Sequence, residues 1–196
     1  LSSEQLAESW DDLHKAYGEF WLPTQAPEIG NYGAEVLLKE ELLPYISDPL
    51  ELAQALEVLT TVEELSFYQQ EEVELAETSD VTEHQNKYFW LKNSYAGSQT
   101  LPIKFFEERK QSPNPNVRAE FAEKLKKVRE KKQNLQKRYH LPEDVMQIAQ
   151  RISEAAAWQD DRKKYTFIAI HYEDKLVKEV GKRLSYNHDE LVWADY

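Results

Sequence analysis

An all-α fold, an irregular multi-helix bundle with one or two long helices in its C-terminal half, is predicted by three observations on this 196-residue chain. Apolar residues recur at spacings of three and four along most of its length, N-capping signals precede those runs, and no alternation of apolar with polar residues extends beyond four positions. Glycines (5) and prolines (8) are few, and 41% of residues are apolar, enough material for a sizeable core.

The first helix opens at Ser2 or Ser3, where Ser2 and Gln5 can form a capping box, and its apolar face reads Leu6, Trp10, Leu13, Tyr17 and Trp21. Pro23 is expected to end it, because an interior proline removes a backbone donor and clashes with the preceding turn. Pro27, Gly30 and Gly33 then predict an irregular loop, followed by a second helix over 34–46, bent near Pro44. Asp48 caps a third helix, with Pro49 at its first position and Glu51 closing the box. Thr61 with Glu64 predicts the start of a helix reaching about Thr78, and Asp80 with Glu83 the start of the next.

Residues 93–102 break the pattern, 102–111 predict a short helix, and 112–116 a loop. From Val117 the stripe Val117, Phe121, Leu125, Val128, Leu135 and Tyr139 follows helical steps on a charged surface, with Lys132 interrupting it. Pro142 opens the last long helix, with Glu143 and Asp144 in the first turn where the helix dipole favours acid. Its stripe from Val145 to Leu184 predicts about forty residues, roughly 60 Å at 1.5 Å per residue. Residues 155–157 or 160–161 are where it could break, Gly181 weakens its end, and a short helix over 188–193 follows. The chain thus divides into an acidic helical subdomain over 1–111, built around an aromatic central helix, and a long-helix hairpin over 112–196 packed on it, one structural unit in all. A start at Leu1 rather than Met fits a piece of a longer protein.

The net charge of −12 is unevenly placed: −16 over residues 1–100, +7 over 101–138 and −3 over 139–196. The basic stretch interleaves Glu120, Glu123 and Glu130 with its lysines and has only Phe121 and Tyr139 for stacking, so it predicts a solvated helix rather than a nucleic-acid surface. With no apolar run of membrane-spanning length and no signal-peptide pattern, the sequence predicts a soluble, cytoplasmic protein without membrane partners. The absence of Cys removes disulfides, thiolate metal sites and thiol nucleophiles.

The densest cluster of chemistry-bearing residues is 83–95, EHQNKYFWLKNSY, with one His, four rings, two Asn and two Lys in a helix and its exit. Tyr88, Phe89 and Trp90 spread over most of the helix circumference, so the element is expected to be covered on several sides, as a central strut or a contact surface. His84 lies one turn before Tyr88, on the same face. Elsewhere the carboxylates Glu63, Glu64, Glu71, Glu72, Glu74 and Glu77 crowd one segment without the Glu-x-x-His pairs of a di-metal bundle, the nearest approach being Asp11-x-x-His14. None of His14, His84, His140, His171 and His188 sits in a metalloprotease, hydrolase or phosphate-loop motif. The run 160–164 fits an ion-pair hub or a solvated turn.

Three segments together resemble the helical region of phosphoenolpyruvate-utilising phosphotransferases, the group of phosphoenolpyruvate synthase and related dikinases. His84-Gln-Asn-Lys-Tyr-Phe-Trp90 followed by Asn93 and Tyr95 is similar to that family's His, Lys-Tyr-x-Trp, Asn-x-Tyr helix. Trp158 to Lys164 resembles its Trp-x-x-x-Arg-Lys segment, and Leu176 to Tyr186 the stretch leading towards the mobile domain. The likeness spans 6–196. The resemblance implies a kinase-like transferase in which an ATP-grasp domain charges a His on a swivelling domain. No His here has glycine-rich neighbours and no glycine-loop nucleotide cradle is present, so no catalytic, phosphate-binding or metal residue carries over. What carries over is the helical motif set His84, Lys87, Tyr88, Trp90, Asn93, Tyr95 and Arg162. The implied function is a helical connector or scaffold that positions mobile domains and has no turnover alone. It carries no cofactor of its own, ATP and Mg belonging to the parent enzyme, and its partners are other domains of the same polypeptide or a protein partner. A free-standing helical interaction module is the alternative, and a helical-bundle metalloenzyme the third.

Overall fold

A computed structural model describes residues 1–112 and 114–192. In chain order its helices are α1 (Ser3–Leu42), α2 (Pro49–Thr60), α3 (Phe67–Glu77), α4 (Val81–Tyr88), α5 (Ile103–Lys110), α6 (Val117–Tyr139), α7 (Glu143–Leu184) and α8 (His188–Val192). No strand occurs among the described residues, only an isolated antiparallel bridge between Ser94 and Gly97. The all-α class and the long C-terminal helix are therefore as the periodicity predicts. Pro113 and Trp193, parts of the expected loop and of the expected last helix, lie outside the described residues.

Several helix starts follow the local capping chemistry. Ser2 and Gln5 exchange bonds, Ser2 N–H donating to Oε1 at 2.8 Å and Gln5 N–H to Oγ at 3.1 Å. Asp48 accepts from Leu50 N and Glu51 N at 2.9 Å ahead of Pro49, and Asp80 accepts from Thr82 N and Glu83 N at 2.8 and 3.0 Å. The third start is displaced. Thr61 ends α2 instead of opening a helix, its hydroxyl donating to Glu57 O at 2.7 Å. The capping box that opens α3 is Ser66 with Gln69, five residues later.

The largest correction is α1, which runs unbroken through Pro23, Pro27, Gly30 and Gly33, so that neither the expected loop nor a separate helix over 34–46 exists. Pro23 and Pro27 lie four apart on the solvent side, and the carbonyls they leave without an N–H partner can be hydrated there. The turns that follow are anchored by the fully buried Leu38 and Leu42. Tertiary burial thus overrides local propensity. Pro44 falls in the turn after α1 rather than bending a helix. Helix α7 likewise passes 155–157 and 160–161 without a break.

The chain forms two compact units, grouped differently from a division at 111/112. The first gathers 1–23, 79–109 and 163–196, the second 24–78 and 110–162. The second unit is cored by aliphatic side chains: Leu38, Leu42 and Ile46 from the end of α1 and its turn, Leu52, Ala55 and Leu59 from α2, and Leu141, Val145, Ala149 and Ile152 around the start of α7. The first unit buries Tyr88, Trp90, Leu91, Leu101, Phe106 and Phe167 together with the polar His84, Asn93, Thr166, His171 and Asp174. At its C-terminal end Ser185 adopts φ 61° and the chain turns back, Tyr186 N–H donating to Gly181 O at 3.0 Å. A Cβ on Gly181 would lie 2.9 Å from Tyr186 O, so the close approach requires glycine there.

Candidate functional site

In the first unit the aromatic segment is a covered strut. Helix α4 brings His84 and Tyr88 onto one face, ring centroids 4.7 Å apart, and Phe106 of α5 meets His84 edge-on at 5.3 Å. The helix ends at Tyr88, and turns over 89–92 carry Trp90 inward, where its indole N–H donates to Lys87 O at 2.9 Å. His84, Tyr88 and Trp90 are buried, while Phe89 is partly exposed and packs edge-on against His171 of α7 at 4.5 Å. Lys87 is exposed, with its ammonium 5.2 Å from the Tyr88 ring centre.

Asn93 joins three segments. Its amide donates to Phe167 O in α7 at 3.0 Å, its side-chain oxygen accepts from Gln99 N at 2.8 Å, and its own N–H donates to Trp90 O at 2.7 Å. Such a buried amide, satisfied on both sides, fixes the loop after α4 against α7. Tyr95 stays exposed and meets Phe167 edge-on at 5.6 Å. Arg162 lies in the second unit, buried and paired with Glu28. The fold therefore gathers six of the seven sequence-predicted residues in one unit, with Arg162 in the other.

A second constellation in the first unit carries more charge. Asp174 of α7 is buried and accepts from Ser98 Oγ at 2.5 Å and Lys178 Nζ at 2.6 Å on one oxygen, with His188 Nε2 2.5 Å from the other. Burial pushes its carboxyl up, but the bonds from Lys178, Ser98 and His188 outweigh that and hold it below its ordinary range. Next to it opens a cavity of about 200 Å³ bordered by Tyr95, Gly97, Ile170 and His188. Ser, His and Asp are all present, yet the carboxylate sits between the other two. A nucleophilic serine needs the imidazole against its hydroxyl, so this wiring ties the 94–98 loop, α7 and α8 together and does not activate Ser98. One turn back, His171 is buried with no hydrogen-bond partner on either ring nitrogen. Burial lowers its pKa, Lys175 and Lys178 push the same way, and Asp174 opposes them, so the ring is held neutral.

No family model, curated protein or solved structure matches this chain.

In the second unit Lys132, the residue that interrupts the apolar stripe of α6, is buried. Its ammonium lies 2.9 Å from Glu63 Oε1 and 3.5 Å from Ser153 Oγ, and Arg129 takes the other Glu63 oxygen at 3.1 Å. Burial raises the Glu63 pKa, but Lys132 and Arg129 together bring it below the ordinary value. A cavity of about 420 Å³ opens beside this pair, with Leu59, Met146 and Ala149 on its apolar side. No cluster of three or more His, Cys, Asp or Glu able to hold a metal occurs among the described residues. His14 instead lies tilted against Trp10, ring centroids 4.2 Å apart, and 3.6 Å from Glu173. No described helix is long and apolar enough to cross a membrane.

Sequence reasoning pointed at the strut and missed the Asp174 constellation. Ser98 and Asp174 are 76 positions apart, and nothing local marks either residue. The signal that was legible is Lys132, a charge on an apolar stripe.

Proposed function

We propose that this chain is a helical connector or scaffold, of the kind that its resemblance to phosphoenolpyruvate-utilising phosphotransferases implies, and that it positions mobile domains without chemistry of its own. The observation that carries this reading is the use to which the motif is put. His84, Tyr88 and Trp90 are packed into a core, and Asn93 uses its side-chain N–H to join the loop after α4 to α7 and its oxygen to hold Gln99 N within that loop. A motif committed to fixing the angle between elements suits a part whose contribution to rate is positioning. The test is phosphoryl transfer with purified chain and Mg: no ATP hydrolysis and no label from ATP or phosphoenolpyruvate is expected, and turnover or a phosphorylated residue would overturn the reading.

The second reading, a free-standing interaction module, does not draw on the aromatic helix, because Tyr88 and Trp90 are buried. What favours it is the exposed outer face of α1.

A further inference from the structure

Within the second unit, the part of α1 after Pro23 is apolar on two opposite faces. At 100° per residue, Leu38 and Leu42 point into the unit while Val36 lies roughly 200° round from Leu38. Ile29, Tyr32, Val36 and, in the following turn, Leu43 are from 52% to 73% exposed. Ile29, Val36 and Leu43 recur every seven residues, the spacing of a seam that receives another helix. Helices apolar all round are ordinarily covered all round, and contiguous exposed apolar residues mark interfaces. Gly30 and Gly33 have open space where a side chain would stand, so a second backbone can approach closely.

The flanks decide what kind of partner fits. Glu35 and Glu40 flank the stripe against a single cation, Lys39, and all three are exposed. A second copy packed through the same stripe would set these carboxylates against their own kind, whereas lysines or arginines beside an apolar seam would meet them favourably. We propose that the outer face of α1 between Ile29 and Leu43 docks a basic amphipathic helix of a protein partner. The proposal holds for a connector and for a free-standing module alike.

The test uses the full chain and a fluorescent designed amphipathic helix of Leu and Lys, with its Leu/Glu counterpart as control, read by anisotropy at low and high salt. The double variant I29S/V36S removes apolar surface without changing charge, and circular dichroism verifies its fold. The Leu/Lys helix is expected to bind, more weakly in high salt, and to lose at least about tenfold in affinity on the variant. No binding, undiminished binding by the variant, equal binding of the Leu/Glu helix, or a dimer of the chain itself abolished by I29S/V36S would each overturn the proposal. Phosphoryl-transfer activity does not enter this readout, so its outcome is separate from that of the connector reading.

Discussion

The two compact units build their interiors from different materials. Residues 24–78 and 110–162 close mainly around Leu, Ile, Val and Ala, with the ring of Phe67 and the charged Glu71, Lys132 and Arg162 also buried. Residues 1–23, 79–109 and 163–196 close around Tyr88, Trp90, Phe106 and Phe167 and place His84, Asn93, His171 and Asp174 among them. Aliphatic side chains attract without direction, so many packings of similar volume serve nearly as well. Rings with polar edges and buried amides accept far fewer arrangements, because each misplacement strands a donor or acceptor. The first interior is thereby the more specific and the more sensitive to protons, the second the more tolerant.

That contrast breaks most visibly at Trp90. Trp90→Ala is expected to destabilise by about 3–5 kcal/mol, and Leu42→Ala by about 2–5. The informative pair is the milder one: Leu42→Met should cost under about 1.5 kcal/mol, while Trp90→Phe loses packing and also leaves Lys87 O without the indole donor. Urea unfolding measures both, and equal costs for the two mild variants would dissolve the contrast. Asn93→Ala removes the amide bond to Phe167 O and takes the acceptor from Gln99 N, and a loss of about 1–3 kcal/mol is expected by the same measurement.

A smaller effect sharpens the proton dependence. His171 has a pKa lowered from its ordinary 6.5, so below that pH the unfolded chain takes up a proton that the folded one resists, and stability falls. The contribution is full above pH 6.5 and declines towards the folded value. Asp174, also lowered, adds stability above its ordinary 3.8 that is lost only in stronger acid, as its own folded value is crossed. Melting temperatures measured from pH 7.5 to 5 should fall in the native chain and flatten in His171→Phe; parallel slopes would remove His171 from the account.

What was legible in the sequence was chemistry confined to one turn. Ser2 with Gln5, Asp48 with Pro49 and Asp80 before α4 act within three residues, and each stands as its side chains dictate. Thr61 misled because a threonine at a helix end can close one turn as readily as open another, and only the fold chooses. The unbroken α1 was not legible, since its prolines argue locally for an end and the burial of Leu38 and Leu42 that outweighs them is non-local. Of the candidate residues, the face shared by His84 and Tyr88 followed from spacing. The bond from Asn93 to a carbonyl 74 positions away did not.

The order in which the units draw on the chain has a consequence for synthesis. The path passes from one to the other at 23/24, 78/79, 109/110 and 162/163. On a ribosome, residues 1–23 must wait for residue 163 and beyond before their unit can close, roughly seven to thirty seconds at about 5–20 residues per second. The aliphatic unit is complete with residue 162 and can form first. During that interval Trp10, Tyr17, Trp90 and Phe106 lack the α7 segment that completes their unit, and their apolar surface stays open to aggregation until it arrives.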